Sequence, residues 1–178
     1  MKMKINKYLV LLVTFLLFSL ASNAQIEKGN WMMGGSGSFS NTKIKLNEFS
    51  QNVTNIYIAP NVGYFIIDKM NIGASVQLQF SNTLSGPIYG LSPYVRYYFL
   101  ENEKQINIFS EVSYGFQKQT HTTSNLETFN LKAGTVFFLN SSVGLEVALN
   151  YTDSKTNLDY QSKAFILGVG FQIYLEKK

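Results

Sequence analysis

The chain has 178 residues, with 15 Lys and Arg against 11 Asp and Glu, one His and no Cys, and its formal net charge is +4. Because three of the basic residues are Lys2, Lys4 and Lys7, the rest of the chain has 12 basic and 11 acidic residues, a net charge of +1. A nearly neutral chain lacks the positive charge that nucleic-acid binding needs, so we expect no nucleic-acid partner. The absence of Cys excludes disulfides and a lipid attached to a processed cysteine.

The first residues have the three parts of an export signal. The three lysines precede an apolar run at 9–18, and a small-x-small pattern places cleavage between Ala24 and Gln25. A retained N-terminal anchor is the alternative, but the run is short for a helix that spans a membrane. We therefore predict a cleaved signal peptide at 1–24 and one domain at 25–178.

Beyond residue 30, apolar residues alternate with Gly, Ser, Asn and Gln, as at 72–80, where Ile, Ala, Val, Leu and Phe take every second position. A period of two places the apolar set on one face of a strand, and about 9–11 residues suit a tilted strand that crosses a bilayer. The sequence predicts an all-β fold, an eight-stranded antiparallel up-and-down transmembrane β-barrel. Strands are predicted at about 30–40, 53–66, 70–81, 88–99, 105–116, 128–138, 142–151 and 164–175.

The predicted connections differ in length. Outer-membrane barrels have short periplasmic turns and longer outer loops, so an alternation of lengths orients the barrel and puts both chain ends on the periplasmic side. Connections at 67–69, 100–104 and 139–141 are predicted to be short, that at 82–87 intermediate, and those at 41–52, 117–127 and 152–163 long.

An internal repeat ends three of the predicted strands in aromatic pairs. Residues 60–65 (Pro-Asn-Val-Gly-Tyr-Phe) align with 93–98 and, more loosely, with 133–138. Aromatic rings favour the membrane interface, so we predict a girdle at one rim. A soluble sandwich with aromatic residues in its core is the alternative. The predicted girdle consists of Trp31, Tyr64, Phe65, Tyr97, Tyr98, Phe99, Phe137 and Phe138.

Charged residues are scarce inside the predicted strands, where the polar positions hold only Arg96, Glu111, Lys132 and Glu146. A soluble barrel would carry charges freely on its outer face, so this pattern indicates a confined lumen. Pairing between neighbouring strands predicts a chain in the order Arg96, Glu111, Lys132, Glu146, because an unpaired buried charge is costly. The chain is interpreted either as a plug of the lumen or as a gate or binding site for a charged solute.

The repeated segments, the strand end at 96–99 (Arg-Tyr-Tyr-Phe) and the last strand with its segment at 168–171 (Gly-Val-Gly-Phe) resemble a known family. They are similar to the small outer-membrane β-barrel proteins grouped with the OmpA transmembrane domain and OmpX, and to the porin-family barrels of Bacteroidota. The resemblance implies a bacterial outer-membrane location and insertion by the barrel-assembly machinery. Such families usually end on an aromatic residue, whereas this chain continues from Tyr174 to Lys178.

Residue types suited to catalysis occur together in one predicted loop. His121, the only histidine, lies near Ser124 and Glu127, which a hydrolase or acyltransferase would need. A polar loop supplies these types by chance and does not position them rigidly. One His and no Cys also make a metal site unfavourable. We predict no catalytic residues, no metal and no cofactor.

The leading interpretation is an integral outer-membrane protein, a monomer with a structural or surface-interaction role. Its expected partners are outer-membrane lipid, including lipopolysaccharide, and an extracellular ligand or surface that the sequence does not identify. A narrow solute channel is the alternative, and a lipid-modifying outer-membrane enzyme is a third hypothesis. The loop residues offered for surface contact are Lys43, Lys45, Glu48, Phe49, Asp153, Lys155, Asp159 and Tyr160.

Overall fold

The computed structural model describes residues 26–46, 49–101, 104–120, 125–157 and 161–177. The predicted signal peptide and its cleavage position between Ala24 and Gln25 lie outside the described residues, as do His121 and Ser124. Within those ranges no helix is long and apolar enough to cross a membrane. The strands are β1 Trp31–Leu46, β2 Phe49–Ile67, β3 Met70–Ser81, β4 Ile88–Tyr98, β5 Ile106–Gln119, β6 Asn125–Asn140, β7 Val143–Thr156 and β8 Gln161–Leu175.

The eight strands form a closed barrel in which each strand pairs antiparallel with its neighbours in the chain and β8 pairs with β1. The predicted fold class is therefore confirmed. Two register shifts interrupt the ladders, one between Phe65 and Ile67 on β2 and one between Phe138 and Asn140 on β6. Both lie at the end of the barrel where the short turns 68–69 and 141–142 reverse the chain.

The predicted difference in loop length is wrong. The β1–β2 ladder runs to Leu46 and Phe49, so most of the predicted loop 41–52 is strand. The connections at this end are 47–48, 82–87, 120–124 and 157–160, and those at the other end are 68–69, 99–105 and 141–142. The strands extend beyond the segments in which apolar residues alternate. This is possible because ladder hydrogen bonds join backbone groups, and polar Ser, Asn and Thr make them as well as apolar residues do.

Both ends of the described chain lie at the end of the barrel that carries the turn 68–69. The Gly29 amide donates to the Phe65 carbonyl oxygen at 2.8 Å, and the Lys69 amide donates to the Ile26 carbonyl oxygen at 2.8 Å. After β8, the Lys177 amide donates to Asn30 Oδ1 at 3.1 Å. We call this end the base of the barrel and the opposite end the mouth.

The barrel is apolar outside and polar inside. On β4, for example, Ser92 and Arg96 are buried while Leu91, Val95 and Tyr97 are exposed. The outward apolar band ends toward the mouth at charged outward positions, because the strands continue past it into polar sequence. These positions are Lys43, Lys118, Glu127, Asp153, Lys155 and Lys163.

Three residues of the predicted aromatic girdle face the interior instead. Phe65 and Tyr98 are 0% exposed and Phe138 is 8% exposed. Successive side chains of a strand point to opposite faces, so an adjacent aromatic pair cannot both face outward. The outward aromatic residues at the base are Trp31, Tyr64, Tyr97, Phe99 and Phe137, and the rings of Trp31 and Tyr64 lie 5.2 Å apart.

A second set of outward aromatic residues lies toward the mouth, which the sequence analysis missed. On β6, Phe129 belongs to this set and Phe137 to the set at the base. Eight residues of a strand tilted by about 40° rise roughly 20 Å along the barrel axis. This is close to the height of about 25 Å of the apolar band of outer-membrane barrels. The set near the mouth comprises Phe39, Phe80, Tyr89, Phe116, Phe129 and Phe165.

Small residues make room for larger side chains inside the barrel, which gives a test of its packing. A methyl group on Gly73 would overlap the Val62 carbonyl oxygen and the Tyr94 hydroxyl, whereas one on Gly168 would meet only the Gly37 carbonyl oxygen, 3.9 Å away. We expect Gly73→Ala to lower the free energy of unfolding by about 1–3 kcal/mol and Gly168→Ala to leave it nearly unchanged. Urea-dependent unfolding of the barrel in lipid vesicles measures both, and equal effects would contradict the packing.

Candidate functional site

The lumen at the base is filled by buried apolar and aromatic side chains. The Tyr98 and Tyr174 hydroxyls lie 2.9 Å apart, and the Phe65 ring contacts both tyrosine rings, with centroids 6.0 and 6.3 Å away. These side chains therefore pack against one another across the lumen at this level. We call this layer the aromatic plug; its residues are Ile26, Met32, Phe65, Tyr98, Phe109, Phe138 and Tyr174.

Arg96 lies directly above the aromatic plug and is 0% exposed. Its guanidinium carbon lies 4.3 Å from the centroid of the Phe109 ring. Arg96 Nε donates to Glu111 Oε2 at 2.7 Å, and Nη2 lies 2.6 Å from the same oxygen. Arg96 Nη1 pairs with Glu146 Oε1 and donates to the Tyr98 hydroxyl at 3.1 Å. The guanidinium is therefore held by two carboxylates and by aromatic rings.

The four charged residues predicted for the lumen meet in one cluster, but in a different order. Arg96 is opposite Glu111 in the β4–β5 register, and Glu111 is opposite Lys132 in the β5–β6 register. Lys132 Nζ donates to Glu111 Oε1 at 2.9 Å. Glu146, however, reaches across the lumen to Arg96, not to Lys132. An eight-stranded barrel is narrow enough for side chains of non-adjacent strands to meet. We call these four residues the charge cluster.

The charge cluster contains two positive and two negative side chains; Arg96, Glu111 and Glu146 are buried, and the Lys132 side chain is 19% exposed. Removal of ions from water is costly, and pairing offsets that cost only where the hydrogen bonds are also satisfied. Here Glu146 Oε2 accepts a hydrogen bond from Gln172 Nε2 at 3.4 Å, and Glu111 has one cation on each of its oxygens. The cluster is thus a neutral, connected network whose members depend on one another.

A cavity of about 530 Å³ occupies the lumen between the charge cluster and the mouth. Glu111, Lys132 and Glu146 form its charged end, and the rest of its polar lining is neutral. Gln117 Nε2 donates to Gln77 Oε1 and, at 3.2 Å, to Thr128 Oγ1, which links the walls of the upper lumen. Sequence analysis did not single out these neutral residues, although their alternation with apolar residues places them on the lumen side. They include Asn61, Gln77, Tyr94, Gln117, Thr128, Asn130 and Asn150.

The ladder between β1 and β8 is the shortest of the barrel. It has seven register pairs, from Trp31 with Leu175 to Gly37 with Val169. By contrast, β1 makes sixteen pairs with β2, and β8 makes thirteen with β7. Toward the mouth, β1 therefore pairs only with β2 and β8 only with β7. The wall is interrupted there between two strand edges, and we call this interruption the seam.

Of the residue types offered for catalysis, the structure describes only Glu127. His121 and Ser124 lie outside the described residues. The third residue, Glu127, is outward-facing on β6, and its Oε2 accepts a hydrogen bond of 2.6 Å from the Tyr114 hydroxyl. Among the described residues, no group of three His, Cys, Asp or Glu side chains is placed to hold a metal ion.

No protein-family model matches the chain, and no curated protein matches it by sequence. Solved structures do match its fold. The barrel domain of Pseudomonas aeruginosa OprF aligns over 83% of this chain and 98% of its own, with a TM-score of 0.55 and 13% identity. Neisserial surface protein A aligns over 82% and 97%, with a TM-score of 0.57 and 11% identity. The outer membrane protein OprG of Pseudomonas aeruginosa aligns over 85% and 98%, with a TM-score of 0.51 and 14% identity. These similarities show a shared barrel fold.

Substitution of Glu111 tests whether the charge cluster holds the lumen together. Glu111→Ala leaves Lys132 without its carboxylate and removes one of the two anions that neutralise Arg96, so we expect the free energy of unfolding to fall by about 3–5 kcal/mol. The matched control is Glu101→Ala, which breaks the exposed pair between Lys69 and Glu101 at 3.1 Å and should cost less than about 1 kcal/mol. Urea midpoints in lipid vesicles compare the two, and similar small shifts would show that the cluster adds nothing to stability.

Proposed function

We propose that this protein is an integral barrel of a bacterial outer membrane, exported by the signal at 1–24 and inserted by the barrel-assembly machinery. The outer wall supports this, since exposed apolar side chains form a band between charged rims, with aromatic residues toward both ends. In water such a surface would be a strong liability for aggregation. OprG, which shares this fold, is an outer membrane protein, and this agrees with the proposal.

Within that membrane, the base of the barrel would face the periplasm and the mouth the outside. The base holds both ends of the described chain, as is usual for the periplasmic side of such barrels. The mouth carries outward charges of both signs, among them Lys43, Lys118 and Asp153. Mixed charge beside an apolar band suits contact with lipid headgroups, including the phosphates and sugars of lipopolysaccharide.

The role that the geometry supports best is a surface-interaction or structural one, performed by a monomer whose lumen does not conduct. The observation that carries it is the closure of the lumen by two layers in series, the aromatic plug and the charge cluster, with Arg96, Phe65 and Tyr98 each 0% exposed. A steady ionic current needs a continuous aqueous path. Neither layer contains one, and both are held by contacts between several strands.

Conductance in a planar bilayer tests this proposal. We expect wild-type protein to give no steady current, and the triple variant Phe65→Ala, Arg96→Ala, Tyr98→Ala to conduct, because it removes the centre of both layers. Heat-dependent migration on gels checks that each variant is folded. A steady wild-type current that changes with Arg96→Ala or Lys132→Ala would overturn the proposal and make the lumen a solute pathway gated by the charge cluster.

A further inference from the structure

The seam opens within the apolar outer band. Phe39 on β1 and Leu167 on β8 lie just beyond the last register pair, and both side chains are 69% exposed. Outward charges begin only at Lys43 and Lys163. Backbone groups without a hydrogen-bond partner are not tolerated in hydrocarbon unless they line a polar cavity or are covered by a partner. The two strand edges therefore need a polar neighbour at this depth.

The cavity lies directly behind the seam. Ser38 of β1 and Ile166 and Gly168 of β8 belong to its lining, and the side chains at 161–167 are exposed whichever face of β8 they occupy. A Cβ on Gly168 would have 3.9 Å to its nearest neighbour, the Gly37 carbonyl oxygen. The cavity and the outer apolar surface are thus continuous across the seam.

Three polar atoms of the cavity lining have no hydrogen-bond partner among the described residues: Asn61 Oδ1, Tyr94 Oη and Asn150 Oδ1. Tyr94 is only 4% exposed. By contrast, Asn150 Nδ2 donates to Thr152 Oγ1 at 3.0 Å. Buried polar atoms are costly without partners. The Tyr94 hydroxyl lies against Gly63 and Gly73, whereas Asn61 Oδ1 and Asn150 Oδ1 accept hydrogen bonds, so a ligand that carries several hydroxyl groups suits this neutral lining.

The charges of the cavity argue for a ligand without net charge. Glu111, Lys132 and Glu146 are paired within the charge cluster, and together with Arg96 they sum to zero. We propose that the seam is a lateral port for a non-ionic amphiphile, whose alkyl chain lies between Phe39 and Leu167 and whose hydroxylated headgroup lies in the cavity. This inference rests on the proposed insertion in a membrane.

An added β-strand from another protein is the competing occupant of the seam. It would pair with the edges of β1 and β8 and so satisfy their backbone groups. It would not reach the unpartnered atoms of Asn61, Tyr94 and Asn150, which lie on the lumen side. The amphiphile accounts for both observations, because one end is apolar and the other carries hydroxyl groups.

Photolabelling tests the port with the full barrel in phosphatidylcholine vesicles. The probe is an alkyl maltoside that carries a diazirine on its headgroup. We expect saturable labelling of cavity residues such as Tyr94 and Asn150, with competition by dodecyl maltoside and much weaker competition by dodecylphosphocholine of the same chain length. Gly168→Trp places a large side chain in the port and should lower this labelling about tenfold. Val112→Trp, on the outer wall of β5 on the opposite side of the barrel from the seam, should leave it unchanged.

The outcomes distinguish a failure of the port proposal from a failure of the membrane proposal. Labelling of the outer wall alone, or cavity labelling that is equal in both Trp variants, would overturn the port while the membrane proposal stands. Protein that does not float with the vesicles on a density gradient would show that it is not inserted, and the membrane proposal would fail. If the probe labels no cavity residue and sedimentation shows the protein bound to a partner protein instead of as a monomer, the seam would be assigned to an added strand.

Cysteine cross-linking tests the seam itself, because the chain contains no native Cys. The pair Met33→Cys, Ile173→Cys lies in register within the ladder and faces outward, so oxidation should join it. The pair Phe39→Cys, Leu167→Cys would be in register only if the ladder continued. We expect it to remain open under the same oxidation and to be protected further by dodecyl maltoside. Equal cross-linking of both pairs would show a closed wall and no port.

Discussion

The buried guanidinium of Arg96 sets how the inside of this barrel is filled. It lies where the aromatic plug meets the polar cavity, with the Phe109 ring against it and two carboxylates bound to it. Without this cation, Glu146 would be a buried anion with no cation among the described residues, and Lys132 alone would pair with Glu111. One residue on β4 therefore pairs with charges on β5 and β7 at the boundary between the packed base and the cavity.

The alternation of side chains along each strand produces two different surfaces, one facing outward and one facing the lumen. Every second side chain faces outward and is apolar, while the others must fill a narrow lumen without leaving charges unpaired. Small residues help to fill the lumen: Gly63 and Gly73 leave the space that the Asn71 side chain and the Tyr94 hydroxyl occupy. Near the mouth, neutral amides and hydroxyls line a polar cavity, and no packed layer forms there.

Alternation in the sequence was enough to predict eight strands, their order and the local pairs Arg96–Glu111 and Glu111–Lys132, because these depend on neighbouring strands joined by a connection of known length. It could not predict that Glu146 meets Arg96, since that contact crosses the lumen. The aromatic pairs were assigned to one surface although alternation separates Tyr97 from Tyr98. The seam could not be predicted from the sequence either, because no connection joins β8 to β1 and fixes how far their ladder extends.

The same seam has a consequence for the order in which the barrel folds. Every other ladder joins strands that are consecutive in the chain, whereas Trp31 and Leu175 are brought together only when the whole domain is present. Closing so large a chain loop carries the greatest entropic cost of any ladder. This ladder also has the fewest register pairs to offset that cost. Closure of β1 on β8 should therefore be the last event of folding, and this junction the first to open when the barrel fluctuates.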